Sequence, residues 1–177
     1  MFNVKKLIYR IVSNLFHSAN SMDERIALYR SRGMKIGERC YIGNNVTFGR
    51  GGSDPIVIGN DCVITGCTIL GHDASPALFL EELQGTSIFN RKSYKKETRI
   101  GNHVFVGVNA VVLAGITIGD NCIVGAGAIV CHDVPSGSVV AGNPAKVIST
   151  IEDFKMKYKK LYSEHPELFY SGNNDSK

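Results

Sequence analysis

Apolar positions recur in this chain with a period of six, neither the 3.6 of an amphipathic helix nor the two of a half-buried strand. A large aliphatic residue, usually followed by glycine, opens IGERCY, IGNNVT and FGRGGS, then IGNDCV, ITGCTI and LGHDAS. The pattern then lapses. It resumes as IGNHVF, VGVNAV, VLAGIT, IGDNCI, VGAGAI and VCHDVP, with starts at 100, 106, 112, 118, 124 and 130. Twelve units are visible. The fifth residue of most is small or β-branched: Cys40, Val46, Cys62, Thr68, Val104, Ala110, Ile116, Cys122, Ala128 and Val134. First and fifth positions both point inward if each unit is a short strand and a turn. Such a unit buries its apolar residues only against units above and below it, so the pattern predicts a stacked solenoid. Its parallel strands should lie about 4.8 Å apart.

The flanks read differently. Val4, Leu7, Ile8, Ile11, Val12, Leu15 and Phe16 have helical spacing, with Lys5, Lys6 and Arg10 on other faces. This predicts a helix packed on the protein or a partner subunit; weak contact with a membrane surface ranks second. No apolar run has the length of a membrane span, and Arg10 interrupts a signal-peptide core. Ser21 to Glu24 is a capping box opening a helix to about Arg32, with Gly33 as its stop. Thr150 to Asp153 opens another, Ile151 to Ser163. Both are expected to cover open ends of the solenoid, and the final SGNNDSK is expected to be disordered. The division is a helical segment at 1–35, a repeat domain at 36–148 with an insertion at 74–97, and a helix with tail at 149–177.

Composition adds limits. Of the 177 residues, 44% are hydrophobic and 20% charged, a globular balance. The net charge of +4 is an N-terminal matter: residues 1–35 carry seven Lys or Arg against two acids, residues 36–148 eight against nine. No basic cluster is interleaved with aromatics in the body, which argues against nucleic acid. Three of the five cysteines, Cys40, Cys62 and Cys122, fall at the small inward position and read as core. Cys62 and Cys67 lack zinc-ligand spacing. The expectation is a cytoplasmic protein without disulfides or metal.

These repeats resemble the hexapeptide-repeat, left-handed parallel β-helix family. The resemblance covers about residues 36–148, implies three units per coil and about four coils, and supplies the handedness. The segment from Ile100 to Ile148, ending VPSGSVVAGNPAKVI, is similar unit by unit to galactoside and maltose O-acetyltransferases. The implied co-substrate is acetyl-CoA. In that pattern the backbone at Val108 and Ala126 holds the pantetheine arm, Cys131 and His132 line the coenzyme's far end, and Lys146 meets a phosphate. An extended amide chain can pair with exposed backbone groups as an added strand does, and a lysine supplies a point charge.

His72 stands where these enzymes place a general base, just before the insertion from Ala74 to Glu97. Imidazole suits that work because its ordinary pKa, about 6.5, is near working pH. A backbone N–H near Val108 is the expected oxyanion donor. Asp73 is a candidate to orient His72, or else to meet the acceptor or cap a turn; successive strand residues point opposite ways. Asp54, in the break RGGSDPIV, is assigned to the acceptor, with a turn aspartate as the equal alternative. The insertion carries the apolar residues Leu78, Phe79, Leu80, Ile88 and Phe89, expected as anchors, and in the family such loops reach a neighbouring subunit of a homotrimer. His17, His103 and His165 are given no role, His103 as an outward residue of surface or subunit interface.

The function implied is transfer of acetyl to a carbohydrate hydroxyl, on a surface polysaccharide or its precursor. Alternatives sharing the mechanism are N-acetylation of a nucleotide-linked amino sugar and O-acetylation of serine or an antibiotic. A metal-dependent carbonic anhydrase needs three clustered histidines, and the closest of His103 and His132 are 29 residues apart. A non-catalytic scaffold would have no use for His72 and the Asn-Pro-Ala-Lys tail.

Overall fold

The structure, a computed structural model, describes residues 21–49, 54–85, 87 and 90–170. The N-terminal apolar stripe, His17, Ile88, Phe89 and the terminal SGNNDSK lie outside the described residues. The six-residue period becomes three parallel sheets that the chain visits in rotation. The first holds β1 (Lys35–Ile36), β4 (Ile56–Ile58), β9 (Thr98–Ile100) and β12 (Thr117–Ile118). The second holds β2 (Tyr41–Ile42), β5 (Val63–Ile64), β10 (Phe105–Val106), β13 (Ile123–Val124) and β15 (Ser138–Ala141), closed by antiparallel β16 (Lys146–Thr150). The third holds β3 (Thr47–Phe48), β6 (Thr68–Ile69), β11 (Val111–Val112) and β14 (Ile129–Val130). Strands stack in register, so Ile42, Ile64, Val106 and Val124 form one inward column.

One unit departs from the expected phase. Cys67 and Ile69 are buried, whereas Thr68 and Leu70 are only half-buried. The step from Ile64 to Ile69 is therefore five residues, and Cys67, not Thr68, takes the small inward place. Burial pushes the Cys67 thiol up to about 12 and the Cys62 thiol up to about 11, so both stay protonated and unreactive.

The three corners between sheets differ. At the first corner four successive coils present Gly37, Gly59, Gly101 and Gly119. A Cβ on Gly59 would lie 2.6 Å from the Gly101 carbonyl oxygen, so only glycine lets the coils close. Asn60, Asn102 and Asp120 form a side-chain ladder beside them. The Asn102 Oδ1 accepts the Asn60 N–H at 2.9 Å, and the Asp120 Oδ1 accepts the Asn102 N–H at 2.6 Å. Arg39, Asp61, His103 and Asn121 then take φ near +55° (54°, 56°, 53° and 54°), a conformation in which Asn, Asp and His are enriched among residues other than glycine.

Helix α1 (Met22–Ser31) opens with the Ser21–Glu24 capping box. It lies on the first coil, where Arg25 donates to the Ile42 carbonyl and Arg30 to the Ile36 carbonyl, both at about 2.9 Å (2.9 and 2.8 Å). Helix α2 (Ile151–Glu164) is anchored differently from expectation: none of its residues is buried. It packs on β15 and β16, the last strands of the second sheet. No helix among the described residues is long and apolar enough to cross a membrane.

Candidate active site

Both breaks in the repeat fall at the third corner, where the chain leaves the third sheet for the first. One follows β3 and delivers Asp54; the other follows β6 and delivers His72. Stacking of adjacent coils brings them together. The His72 Nδ1 lies 2.6 Å from the Asp54 Oδ2, and the Gly71 N–H donates to the same oxygen at 3.1 Å. A carboxylate oxygen can only accept, so with Asp54 ionised this pairing would place the imidazole proton on Nδ1 and leave the Nε2 lone pair available. The Asp54 side chain is fully buried and that of His72 is 24% exposed. The Asp54 Oδ1 is buried with no hydrogen-bond partner among the described residues.

Two glycines leave the room for this pair. A Cβ at Gly71 would meet the Asp54 Cβ at 2.7 Å, and one at Gly49 would meet the His72 Nδ1 at 3.3 Å. Thr98, fully buried, pins the chain where it returns from the insertion. Its Oγ1 donates to the Leu70 carbonyl at 2.6 Å and accepts the Gly115 N–H at 2.9 Å, tying three coils together below His72.

Asp73 does not orient His72. Its Oδ1 accepts the Ser75 N–H at 2.8 Å, the turn-capping alternative, and that bond holds its carboxyl below the usual range. The reason is the alternation of a strand: β7 (His72–Asp73) sends the histidine inward and the aspartate outward. Asp54 differs from its expected place as well. Buried against His72, it faces the base and not an acceptor.

The insertion leaves through β7 and returns through antiparallel β8 (Tyr94–Lys95), with His72 opposite Lys95 and Asp73 opposite Tyr94. Between them lie short 3-10 helices at Ser75–Leu78 and Glu81–Leu83. Ala77 is the buried anchor; the expected anchors Leu78, Phe79 and Leu80 are exposed, Phe79 to 81%. A pocket of ≈ 280 Å³ sits at the stem, lined by Leu70, His72, Asp73, Tyr94, Leu113 and Ala114. Sequence reasoning missed Tyr94, Leu113, Ala114 and Thr98. The signal for Leu113 and Ala114 was present, since they follow Val112 as Leu70 and Gly71 follow its register partner Ile69 one coil earlier; Tyr94 and Thr98 carry no repeat signal.

The expected coenzyme residues separate into two groups. Val108, Ala126 and Lys146 lie on the second corner. Val108 and Ala126 occupy equivalent turns of adjacent coils, and the Val108 carbonyl accepts the Gly127 N–H at 2.9 Å. Both residues are exposed, and neither amide N–H donates a hydrogen bond among the described residues. Lys146, opposite Ala141 on β16, is exposed one coil further on. Three coils thus offer a line of open backbone donors ending in a cation, which fits an extended amide chain with a phosphate. Cys131 and His132 lie instead on the third corner, below His72. The strand β11 separates Val108 from the pocket, so within one chain its N–H is not beside His72. His103 lies on the first corner, exposed, 3.5 Å from Asp61. Among the described residues no group of three or more His, Cys, Asp or Glu is placed to hold a metal ion.

With this geometry in place, comparison with known proteins is informative. A family model described as "Bacterial transferase hexapeptide (six repeats)" matches residues 97–132, and one described as "Hexapeptide repeat of succinyl-transferase" matches 33–71. Protein CapG of Staphylococcus aureus is 35% identical over 157 residues, 87% of this chain and 83% of that protein. Galactoside O-acetyltransferase of Escherichia coli K12 is 44% identical over 69 residues, 39% of this chain but only 34% of that protein. A solved structure of galactoside acetyltransferase in complex with coenzyme A superposes with a TM-score of 0.58 at 24% identity, covering 80% of this chain and 78% of that one. The shared fold is the left-handed parallel β-helix.

Proposed function

The chain belongs to the bacterial hexapeptide-repeat transferases and is an acetyl-CoA-dependent acetyltransferase, and from that premise we propose that its acceptor is a carbohydrate hydroxyl, on a surface polysaccharide or its precursor, with His72 as general base. The observation that carries this reading is the 2.6 Å bond between His72 Nδ1 and a buried Asp54 at the mouth of a pocket. His72 Nε2 takes the acceptor's hydroxyl proton as that oxygen attacks the thioester carbonyl; the C–S bond then breaks and the imidazolium returns the proton to the departing coenzyme thiolate. A positioned base of this kind contributes about 10²–10⁴ in rate. Asp54 is the positioning residue: it holds the tautomer and favours the imidazolium formed by the transfer.

The line of Val108, Ala126 and Lys146 supports donor binding along the second corner, and its distance from His72 supports a site completed between subunits. A homotrimer that set the second corner of one chain against the third corner of the next would bring the two halves together. The relative named as a galactoside O-acetyltransferase supports a sugar hydroxyl; an amine is the second reading, favoured by a relative of Staphylococcus aureus named as an N-acetyltransferase, 54% identical over 59 residues. The test is His72→Ala with a coenzyme-release assay over sugars, nucleotide sugars, serine and antibiotics. Transfer should fall about 10²–10⁴-fold while acetyl-CoA still binds by calorimetry. Full activity in that variant would remove His72 from the mechanism.

A further inference from the structure

Among the described residues lining the pocket beside His72, Leu70, Leu113 and Ala114 are aliphatic. Leu70 and Leu113 stack on adjacent coils. Each follows a residue of the third sheet that is fully buried in the core, Ile69 and Val112. Their own side chains are not taken up by the core: Leu113 is 37% exposed, and Leu70 and Ala114 are half-buried. The ladder fixes the backbone beneath them. The Leu70 N–H donates to the Val112 carbonyl and the Leu113 N–H to the Val130 carbonyl, both at 3.0 Å. The result is an aliphatic wall on rigid coils, beside the base.

Attack on the thioester restricts where the acyl group can lie. The acceptor oxygen must come within about 2.6–3.2 Å of the base that deprotonates it. The carbonyl carbon must then lie about 3–3.5 Å from that oxygen. The acyl methyl is one bond further, so it falls within about 8 Å of His72 Nε2 whichever chain holds the rest of the coenzyme.

We propose that Leu70, Leu113 and Ala114 form the acyl subsite, taking the methyl group of the acetyl donor and setting the length of acyl chain that is transferred. The inference deepens the reading of His72 as general base and rests on it. The other described lining residues, His72, Asp73 and Tyr94, carry polar groups, so the aliphatic three supply the surface that a methyl group favours. Because the ladder holds the wall, each added methylene must displace Leu113 or pull the carbonyl from the attacking oxygen. Discrimination by one methylene in a hydrophobic pocket is about 10–200-fold. These residues make and break no bond; they select the donor by fit.

The experiment uses the full chain with acetyl-, propionyl- and butyryl-CoA, the acceptor panel above, and the variants Leu113→Ala, Leu113→Met and Leu70→Ala. The readout is kcat/KM for each donor relative to acetyl-CoA. The unaltered protein should prefer acetyl to butyryl about a hundredfold. Leu113→Ala should cut that preference about tenfold, and Leu70→Ala should cut it in the same direction. Leu113→Met conserves volume and should keep it within about twofold. Binding of coenzyme A by calorimetry should be unchanged in all three, and Tm unchanged in both Leu113 variants. Butyryl-CoA used by the unaltered protein as well as acetyl-CoA overturns the subsite. A preference unmoved in both Leu113→Ala and Leu70→Ala, with His72→Ala inactive, overturns the subsite and leaves the base in place. Full activity in His72→Ala overturns both together.

Discussion

The first and third corners of the solenoid are built from the same repeat and do opposite things. At the first, glycine and a left-handed residue recur in every coil without interruption, and Asn60, Asn102 and Asp120 each accept a backbone N–H of the neighbouring coil. At the third, the repeat breaks after β3 and after β6, and the polar groups that stacking brings together pair with one another, not with a ladder. The His72–Asp54 pairing arises where the repeat is interrupted.

That contrast can be broken from the catalytic side first. Asp54→Asn should lower kcat about 10²-fold with KM for both substrates and Tm near their original values, because the amide no longer holds the histidine tautomer. Steady-state kinetics beside thermal melts make the check; a matching fall in Tm would instead make Asp54 a structural residue. Paired glycine variants come next. Gly59→Ala at the first corner places a Cβ 2.6 Å from the Gly101 carbonyl and should cost about 1–3 kcal/mol of stability, with specific activity of the folded protein retained. Gly71→Ala at the third corner places one 2.7 Å from the Asp54 Cβ and should lose activity before stability. Equal effects of the two on activity would erase the distinction between corners.

Smaller effects test the ladder itself. Asn102→Ala removes an acceptor for Asn60 and a side-chain donor to Asp120, and should cost about 1 kcal/mol by denaturant unfolding without changing turnover. The smallest effect is at the exposed rim, where Arg39 donates to Asp61 at 2.5 and 2.6 Å and holds its carboxyl below the usual range. A depressed folded value means the pair stabilises above the unfolded carboxylate's value, about 3.9, and that this is lost as pH falls through the lower folded value. Melts in acid should show a slightly shallower decline for Arg39→Ala, and the difference should vanish at neutral pH in high salt.

Much of the fold was legible in the sequence because a solenoid is local. Each coil's inward residues meet the same residue classes one coil away, so a first-position aliphatic and a fifth-position small residue carry the contact information themselves. Ile100 to Val130 kept that phase throughout. The phase failed at Thr68 because the unit ITGCT is one residue short, and only burial distinguishes Cys67 from its neighbour as the inward one. The anchors of the insertion failed similarly: Leu78, Phe79 and Leu80 are apolar, but outside the repeat apolarity does not say which surface receives them.

The candidate site divides on the same line. His72 was found from coil phase and its place before the insertion, which are properties of the chain. Its partner was not. Asp73 is adjacent in sequence yet faces the other side of β7, while Asp54 is 18 residues away and lies within 2.6 Å. By itself the sequence determined the period, the inward columns and the place of His72 before the insertion, because these follow from spacing along one chain. Only the tertiary structure decided which carboxylate holds the base, which corner carries Val108, Ala126 and Lys146, and that Tyr94 returns beside Asp73. Those pairings are set by the stacking of coils, which brings together residues that no local spacing relates.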